Sequence, residues 1–219
     1  MNNIMTPRLL AIASFVRPGA RVIDVGSDHG YVPIYLLQEK IATHALCTDV
    51  HEGPLLKSRE NSIRFGLTDC IETQKADGLL NVDVSGYDTI IIAGMGGILI
   101  SEILQNAPAL DGKELILQPM TAVMELRQYL VTNGFTIAKE KLVQEDEKLY
   151  TVLETRRGKS EPYTPAQLLV GRENRQDPLY PVWVKRIREK LEKRLCGLMT
   201  GKVRRDKEIE EIKSLLEVL

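Results

Sequence analysis

The stretch Val22-Ile23-Asp24-Val25-Gly26-Ser27-Asp28-His29-Gly30-Tyr31 decides how the rest of the chain is read. Its first half is a short, β-branched strand with no polar face, which suits a strand covered on both sides. Gly26 and Gly30 bracket a turn, and the helix-spaced run VPIYLLQEK (32–40) follows. A strand that passes through a Gly-rich turn into a helix brings backbone N–H groups to the carboxyl end of a sheet.

Working outward, ALCTDV (45–50), YDTIIIAG (87–94) and KELILQP (113–119) read as further buried strands. PLLKSRENSIRFG (54–66), GILISEILQNA (97–107) and AVMELRQYLVTNG (122–134) carry i, i+3, i+4 apolar spacing, with Gly66 and Gly134 where C-caps belong. TPRLLAIASFV (6–16) reads as a helix ahead of the first strand. The alternation predicts an α/β fold of Rossmann-like type, a mostly parallel sheet with helices on both faces. FTIAKEKLVQE (135–145) and KLYTVLETRR (148–157) have no helix between them, so they are expected to form an antiparallel pair at one edge.

The composition shifts near residues 157–162, which places a boundary between a domain of residues 1–158 and a carboxyl-terminal unit of residues 159–219. In the latter, Val184, Ile187, Leu191, Leu195 and Leu198 form one apolar stripe. After Thr200-Gly201, Ile209, Ile212, Leu216 and Leu219 form another. Two stripes joined by a short Gly-containing turn predict an antiparallel, coiled-coil-like helical hairpin. Net charge is −1, but it is unevenly spread: residues 156–207 hold 15 Lys or Arg against 6 Asp or Glu. That asymmetry fits a polyanion-binding appendage on an acidic core, or a solvated helix surface. On the predicted helix, Arg186, Lys190, Lys193 and Arg194 line up beside the apolar stripe, and Arg172, Arg175, Arg204 and Arg205 extend the charge.

The chain of 219 residues, 43% of them hydrophobic, has material for a sizeable core and excludes a disordered or fibrous class. Cys47, Cys70 and Cys196 suggest neither a disulfide framework nor a CxxC zinc site. His44 and His51 have no metal-ligand spacing. No apolar run is long enough to span a bilayer. The run at 9–16 lacks the flanks of a signal peptide. A cytoplasmic protein without metal, membrane or obligate protein partner is expected.

Asp49, with Val50 beside it, lies nineteen residues after Gly30 at a strand end, where doubly wound folds meet a ribose diol. Turn, acidic residue and strand context together point to a nucleoside-containing ligand. Asp28 would repel a pyrophosphate, whereas Asp24 and Asp28 would attract the cationic sulfonium and ammonium of S-adenosylmethionine. NAD is the weaker reading. Asp77-Gly78, in the turn after residues 70–74, could meet an adenine amine or be a plain Asp-Gly turn. Ala93-Gly94-Met95-Gly96-Gly97 closes the next strand with enough small residues to bring backbone against a ligand. There is no Asn-Pro-Pro-aromatic run to hold an exocyclic amine and no Pro-Cys nucleophile.

Asp24-Val25-Gly26-Ser27-Asp28-His29-Gly30-Tyr31-Val32-Pro33, Ala93-Gly94-Met95-Gly96-Gly97 and Leu117-Gln118-Pro119-Met120 together resemble the bacterial tRNA (adenine-22-N1)-methyltransferase family, over nearly the whole chain. The resemblance implies a class I methyltransferase fold with a helical carboxyl-terminal domain. It further implies S-adenosylmethionine as cofactor and N1 of an adenine in tRNA as target. On that view Asp24, Gly26, Ser27, His29, Gly30, Asp49, Val50, Asp77, Gly78, Gly94, Met95 and Gly96 bind the cofactor. Tyr31 would stack on the target base and Asp28 would accept a proton or hydrogen bond from its amine, while His29 would orient Asp28 or the cofactor carboxylate. Arg186, Lys190, Lys193 and Arg194 would hold the RNA. The alternatives are a methyltransferase of this fold acting on another RNA or a small molecule, and a non-catalytic RNA-binding protein.

Overall fold

The structure, a computed structural model, describes residues 5–200 and 205–219. The expected Gly201 turn and Arg204 lie outside the described residues. Elements run α1 (Pro7–Ala13), β1 (Ala20–Val25), α2 (Tyr31–Gln38), β2 (Ala42–Asp49), α3 (Glu52–Arg64), β3 (Ile71–Lys75), β4 (Thr89–Gly96), α4 (Gly97–Gln105), β5 (Glu114–Thr121), α5 (Val123–Thr132), β6 (Phe135–Glu145), β7 (Lys148–Arg157), α6 (Pro165–Val170), α7 (Tyr180–Thr200) and α8 (Asp206–Val218).

The seven strands form one sheet in the order β3-β2-β1-β4-β5-β7-β6. The first five are parallel, and β7 pairs antiparallel with both β5 and β6. The expected edge pair is present, and its second strand docks on β5 while β6 forms the rim. Their sequences account for this: β7 carries the fully buried Val152 and Leu153, whereas β6 exposes Lys139 and Lys141 and breaks register between Ile137 and Lys139. Charged side chains and a bulge suit an edge, because they discourage further pairing.

The two-residue period of the strands sorts the core into two layers. Val22, Ile91 and Ile116 face α1 and α2, with Ile12, Ile34 and Leu36. Ile23, Ile90, Ile92, Leu115 and Leu117 face α4 and α5, with Ile100, Leu126 and Leu130. Gly66 and Gly134 take positive φ just past α3 and α5, as C-caps do.

The six-residue helix α6 was not expected from the sequence. Pro165 begins it, and Thr164 and Gln167 form a capping box. Trp183 Nε1 donates to the Val170 carbonyl at 2.9 Å, which ties α7 to the end of α6. Helices α7 and α8 pack antiparallel: Arg188 Nη1 donates to Leu216 O at 2.9 Å, and Arg194 Nε to Glu208 Oε1 at 2.7 Å. Ile187, Ile209 and Ile212 of the expected stripes are buried between them and their neighbours.

Candidate active site

Every strand-end feature singled out in the sequence falls at the carboxyl edge of the parallel sheet, where ligands bind in open α/β folds. The turn after β1 is wound tightly: Gly26, His29 and Gly30 have φ of +72°, +67° and +70°. Backbone N–H groups of Gly26 and Ser27 donate to Thr48 O at 2.8 and 3.0 Å, which locks the turn to β2. Asn61 Nδ2 holds His29 O at 2.9 Å from α3.

This turn forms one wall of a crevice of about 330 Å³ lined by Asp24, Gly26, Ser27, Asp28, Tyr31 and Gly94, with Arg8 across from α1. Burial pushes the Asp24 carboxyl up to about 6, with Ser27 partly opposing, and no cation pairs with it among the described residues. The Ser27 hydroxyl is buried beside that carboxyl. A buried carboxyl without a cation, with a buried hydroxyl beside it, calls for a cationic, hydrogen-bonding ligand. Beneath them burial, with Asp24 adding to it, pushes the Cys47 thiol up to about 12, so it is an inert core group.

Asp28 is largely exposed, and His29 Nε2 lies 3.2 Å from its Oδ1. The His29 ring stacks on Tyr31 with centroids 5.1 Å apart and planes 4° from parallel. Each ring therefore covers one face of the other, beside the carboxylate. Asp49 ends β2, and its Oδ1 accepts from the His51 backbone N–H at 2.7 Å. Val50 beside it is exposed. Asp77 is exposed in the turn after β3, and a Cβ on Gly78 would crowd Ile103 of α4. The Asp77-Gly78 turn is thus partly explained by packing. Gly96 and Gly97 start α4, and a Cβ on Gly97 would run into the Ala122 carbonyl, so close helix approach explains that glycine. Met95 is half-buried against the core, with its thioether end against Gly26.

Two residues to which the sequence reading gave no role join the site. Arg8 Nη1 donates to Gln118 Oε1 at 2.9 Å, and its backbone N–H donates to Glu145 at 3.0 Å. Burial alone would raise the Glu145 carboxyl, but the Thr6 hydroxyl and the Arg8 N–H and guanidinium hold it below its usual range. The Arg8 guanidinium lies 5.6 Å over the Tyr150 ring.

Behind Tyr150, a groove of about 560 Å³ runs between α7 and the β6–β7 hairpin. Arg186, Lys190 and Lys193 line it together with Lys148 and Trp183; Glu147 and Glu189 lie there too. Arg186 Nη1 donates to Glu147 O at 2.6 Å. Arg194, expected in the same strip, instead pairs with Glu208 of α8. Among the described residues no three His, Cys, Asp or Glu are placed to hold a metal ion, and no helix is long and apolar enough to cross a membrane.

A methyltransferase-domain family matches residues 5–153. The Bacillus subtilis tRNA (adenine(22)-N(1))-methyltransferase is 36% identical over 156 residues, 70% of this chain and 66% of that protein. The solved structure of a candidate Streptococcus pneumoniae tRNA (m1A22) methyltransferase, in complex with S-adenosyl-L-methionine, superposes with a TM-score of 0.81 and 31% identity. That superposition covers 97% of this chain and 100% of the other. TrmK of M. capricolum, in complex with S-adenosyl-homocysteine, gives 0.81 and 27% over 96% and 93% of the two chains.

Proposed function

This chain belongs to the methyltransferase-domain family, among the tRNA (adenine(22)-N(1))-methyltransferases, and on that premise we propose that it methylates N1 of adenine 22 in tRNA from S-adenosylmethionine. The observation that carries this reading is the crevice at the sheet's carboxyl edge, in a chain that superposes almost end to end on relatives solved with S-adenosylmethionine and S-adenosylhomocysteine.

The residues present fit the cofactor. Asp24 is the partner for its ammonium, Arg8, the one cation on the crevice wall among the described residues, that for its carboxylate, and the buried Ser27 hydroxyl a third contact. Asp49, with Val50, receives the ribose; Asp77 and Gly78 meet the adenine ring; Gly26, His29, Gly30, Gly94, Met95 and Gly96 shape the backbone around them. When bound, S-adenosylmethionine supplies a methyl group on a cationic sulfur.

The acceptor N1 is already nucleophilic, so the protein has to orient it and exclude water. N1 lies on the Watson–Crick edge, so the base must leave its pair to react. The stacked His29–Tyr31 surface receives the extruded ring, and Asp28 beside it accepts from the amine as N1 is alkylated. His29 thereby serves Asp28, from which it is 3.2 Å away, leaving the cofactor carboxylate to Arg8.

The basic groove of Arg186, Lys190 and Lys193 takes the RNA backbone, with Lys148 added and Arg194 removed from the set the spacing suggested. Residues 1–158 would then carry the chemistry and residues 159–219 the RNA contacts, with the protein working in the cytoplasm. The test is incubation with labelled cofactor and unmodified tRNA, followed by mapping of the methylated nucleoside. Label at N1 of adenine 22 is expected; label on another nucleoside, or only on small molecules, would overturn the reading.

A further inference from the structure

Leu117-Gln118-Pro119-Met120 carries part of the family resemblance and has no role in the mechanism above. Its Gln118 side chain is fully buried, and its bonds converge on the crevice wall. Oε1 accepts from the Gly94 backbone N–H at 3.2 Å and from Arg8 Nη1 at 2.9 Å. Nε2 donates to Pro119 O at 2.9 Å. The β4–β5 register shows what this amide is holding. Ala93 pairs with Gln118 and Met95 with Pro119, so Gly94 is the extra residue of a bulge, with φ +77°. A bulged residue has no ladder partner, and without Gln118 the Gly94 N–H would have none. On the other side no atom lies within 4 Å of where a Gly94 Cβ would sit, and Gly94 lines the crevice.

As adenine N1 takes a methyl group, positive charge spreads over N1, C6 and the amine, and the amine becomes a stronger donor. An acceptor placed at the amine therefore helps the transition state more than the ground state. The amine has two hydrogens, and Asp28 can take only one of them. The chain has no Asn-Pro-Pro-aromatic run to take the other.

We propose that the Gly94 bulge fills that role: the Ala93 carbonyl, which shares a peptide plane with the Gly94 N–H and points opposite to it, accepts from the adenine amine, and Gln118 is the positioning residue that fixes that plane. This rests on the adenine-methylation reading above. The test compares single-turnover rates, at saturating cofactor and RNA, on tRNA carrying adenine or purine (which lacks the amine) at the target. Comparing the ratio of the two rates between proteins cancels the intrinsic difference in N1 reactivity between adenine and purine. Gln118→Leu should lower the adenine-to-purine ratio by about tenfold, the scale of one hydrogen bond in a closed site. Gln118→Glu keeps an acceptor for the Gly94 N–H and should restore the ratio to within about threefold. A merely structural role would slow both substrates alike, so an unchanged ratio in Gln118→Leu overturns the proposal. Should Gln118→Leu fail to fold, Gln118→Met, which keeps an unbranched side chain of similar volume without the amide acceptor, must show the same fall in ratio. A wild-type protein inert on the adenine tRNA would overturn the parent reading, and this one with it.

Discussion

Asp24 is buried to 8% exposure, and its carboxyl stands near 6 because desolvation outweighs the help of Ser27. An ammonium seated beside it favours the charged form, so cofactor binding is linked to proton release from Asp24. The sign follows directly. Affinity for S-adenosylmethionine should be level between about pH 6 and 7, where the α-ammonium is still charged, and fall roughly tenfold per pH unit below about 6, until the bound-state value is reached. Calorimetric titration between about pH 5 and 7 reads this, and Asp24→Asn should bind weakly with no pH dependence there. A wild-type affinity that is level across the range would detach Asp24 from the ammonium. Asp49→Ala should cost roughly 1.5–3 kcal/mol of cofactor affinity through loss of a charge-assisted contact, without unfolding the protein; an unchanged affinity would remove Asp49 from the site. Asp24 and Asp49 were legible in the sequence because strand, turn and carboxylate are adjacent along the chain. Arg8 and Gln118 were not given roles, because their bond joins residues 110 positions apart and only the folded sheet brings them together.

Helix α7 shows how far spacing alone reaches. Residues 186, 190, 193 and 194 fall on one side by helical period, yet the helix has two neighbours, and these divide the set. Arg186, Lys190 and Lys193 face the β6–β7 hairpin, while Arg194 reaches Glu208 of α8. Replacing Arg186, Lys190 and Lys193 with Gln should weaken tRNA binding and flatten its salt dependence. The slope of log affinity against log salt should drop by about 2, since each phosphate contact contributes about 0.7–0.9. Arg194→Gln should leave that slope unchanged and only loosen the α7–α8 pair, an exposed bond of small worth. Filter binding at three salt concentrations separates these outcomes, and a triple variant with the parental slope would clear this face of an RNA role. The strands and longer helices were legible because they are continuous apolar runs or 3.6-period stripes. The six residues of α6 are too few for a period.

At the scale of the whole molecule, a buried ion pair joins the sheet to the segment that leads into the helical hairpin. Arg127 of α5 and Glu140 of β6 have fully buried side chains, with Arg127 Nε donating to Glu140 Oε1 at 2.7 Å. Arg127 Nη1 also donates to the carbonyls of Leu168 and Leu169, at 3.0 and 3.2 Å, so it caps α6 while neutralising Glu140. Burial nevertheless holds the Glu140 carboxyl above its ordinary range, against the pull of Arg127. Gly171 lets the chain pass this point, since a Cβ there would run into Glu140 Oε2. Removing one partner of such a pair is more damaging than removing both, because it strands a charge in the core. Arg127→Met should therefore destabilise the protein by about 3–5 kcal/mol, and Arg127→Met with Glu140→Met should recover much of that loss. In the single variant Glu140 loses its cation, and its folded-state value rises further. The folded protein then takes up a proton more readily than the unfolded chain does, so the deficit should shrink as pH falls toward the ordinary carboxylate range. Urea unfolding at pH 7.5 and 5.5 reads both effects. A single variant whose deficit is the same at both pH values, or a double variant no better than the single, would show that Arg127 acts through the α6 carbonyls and not through Glu140.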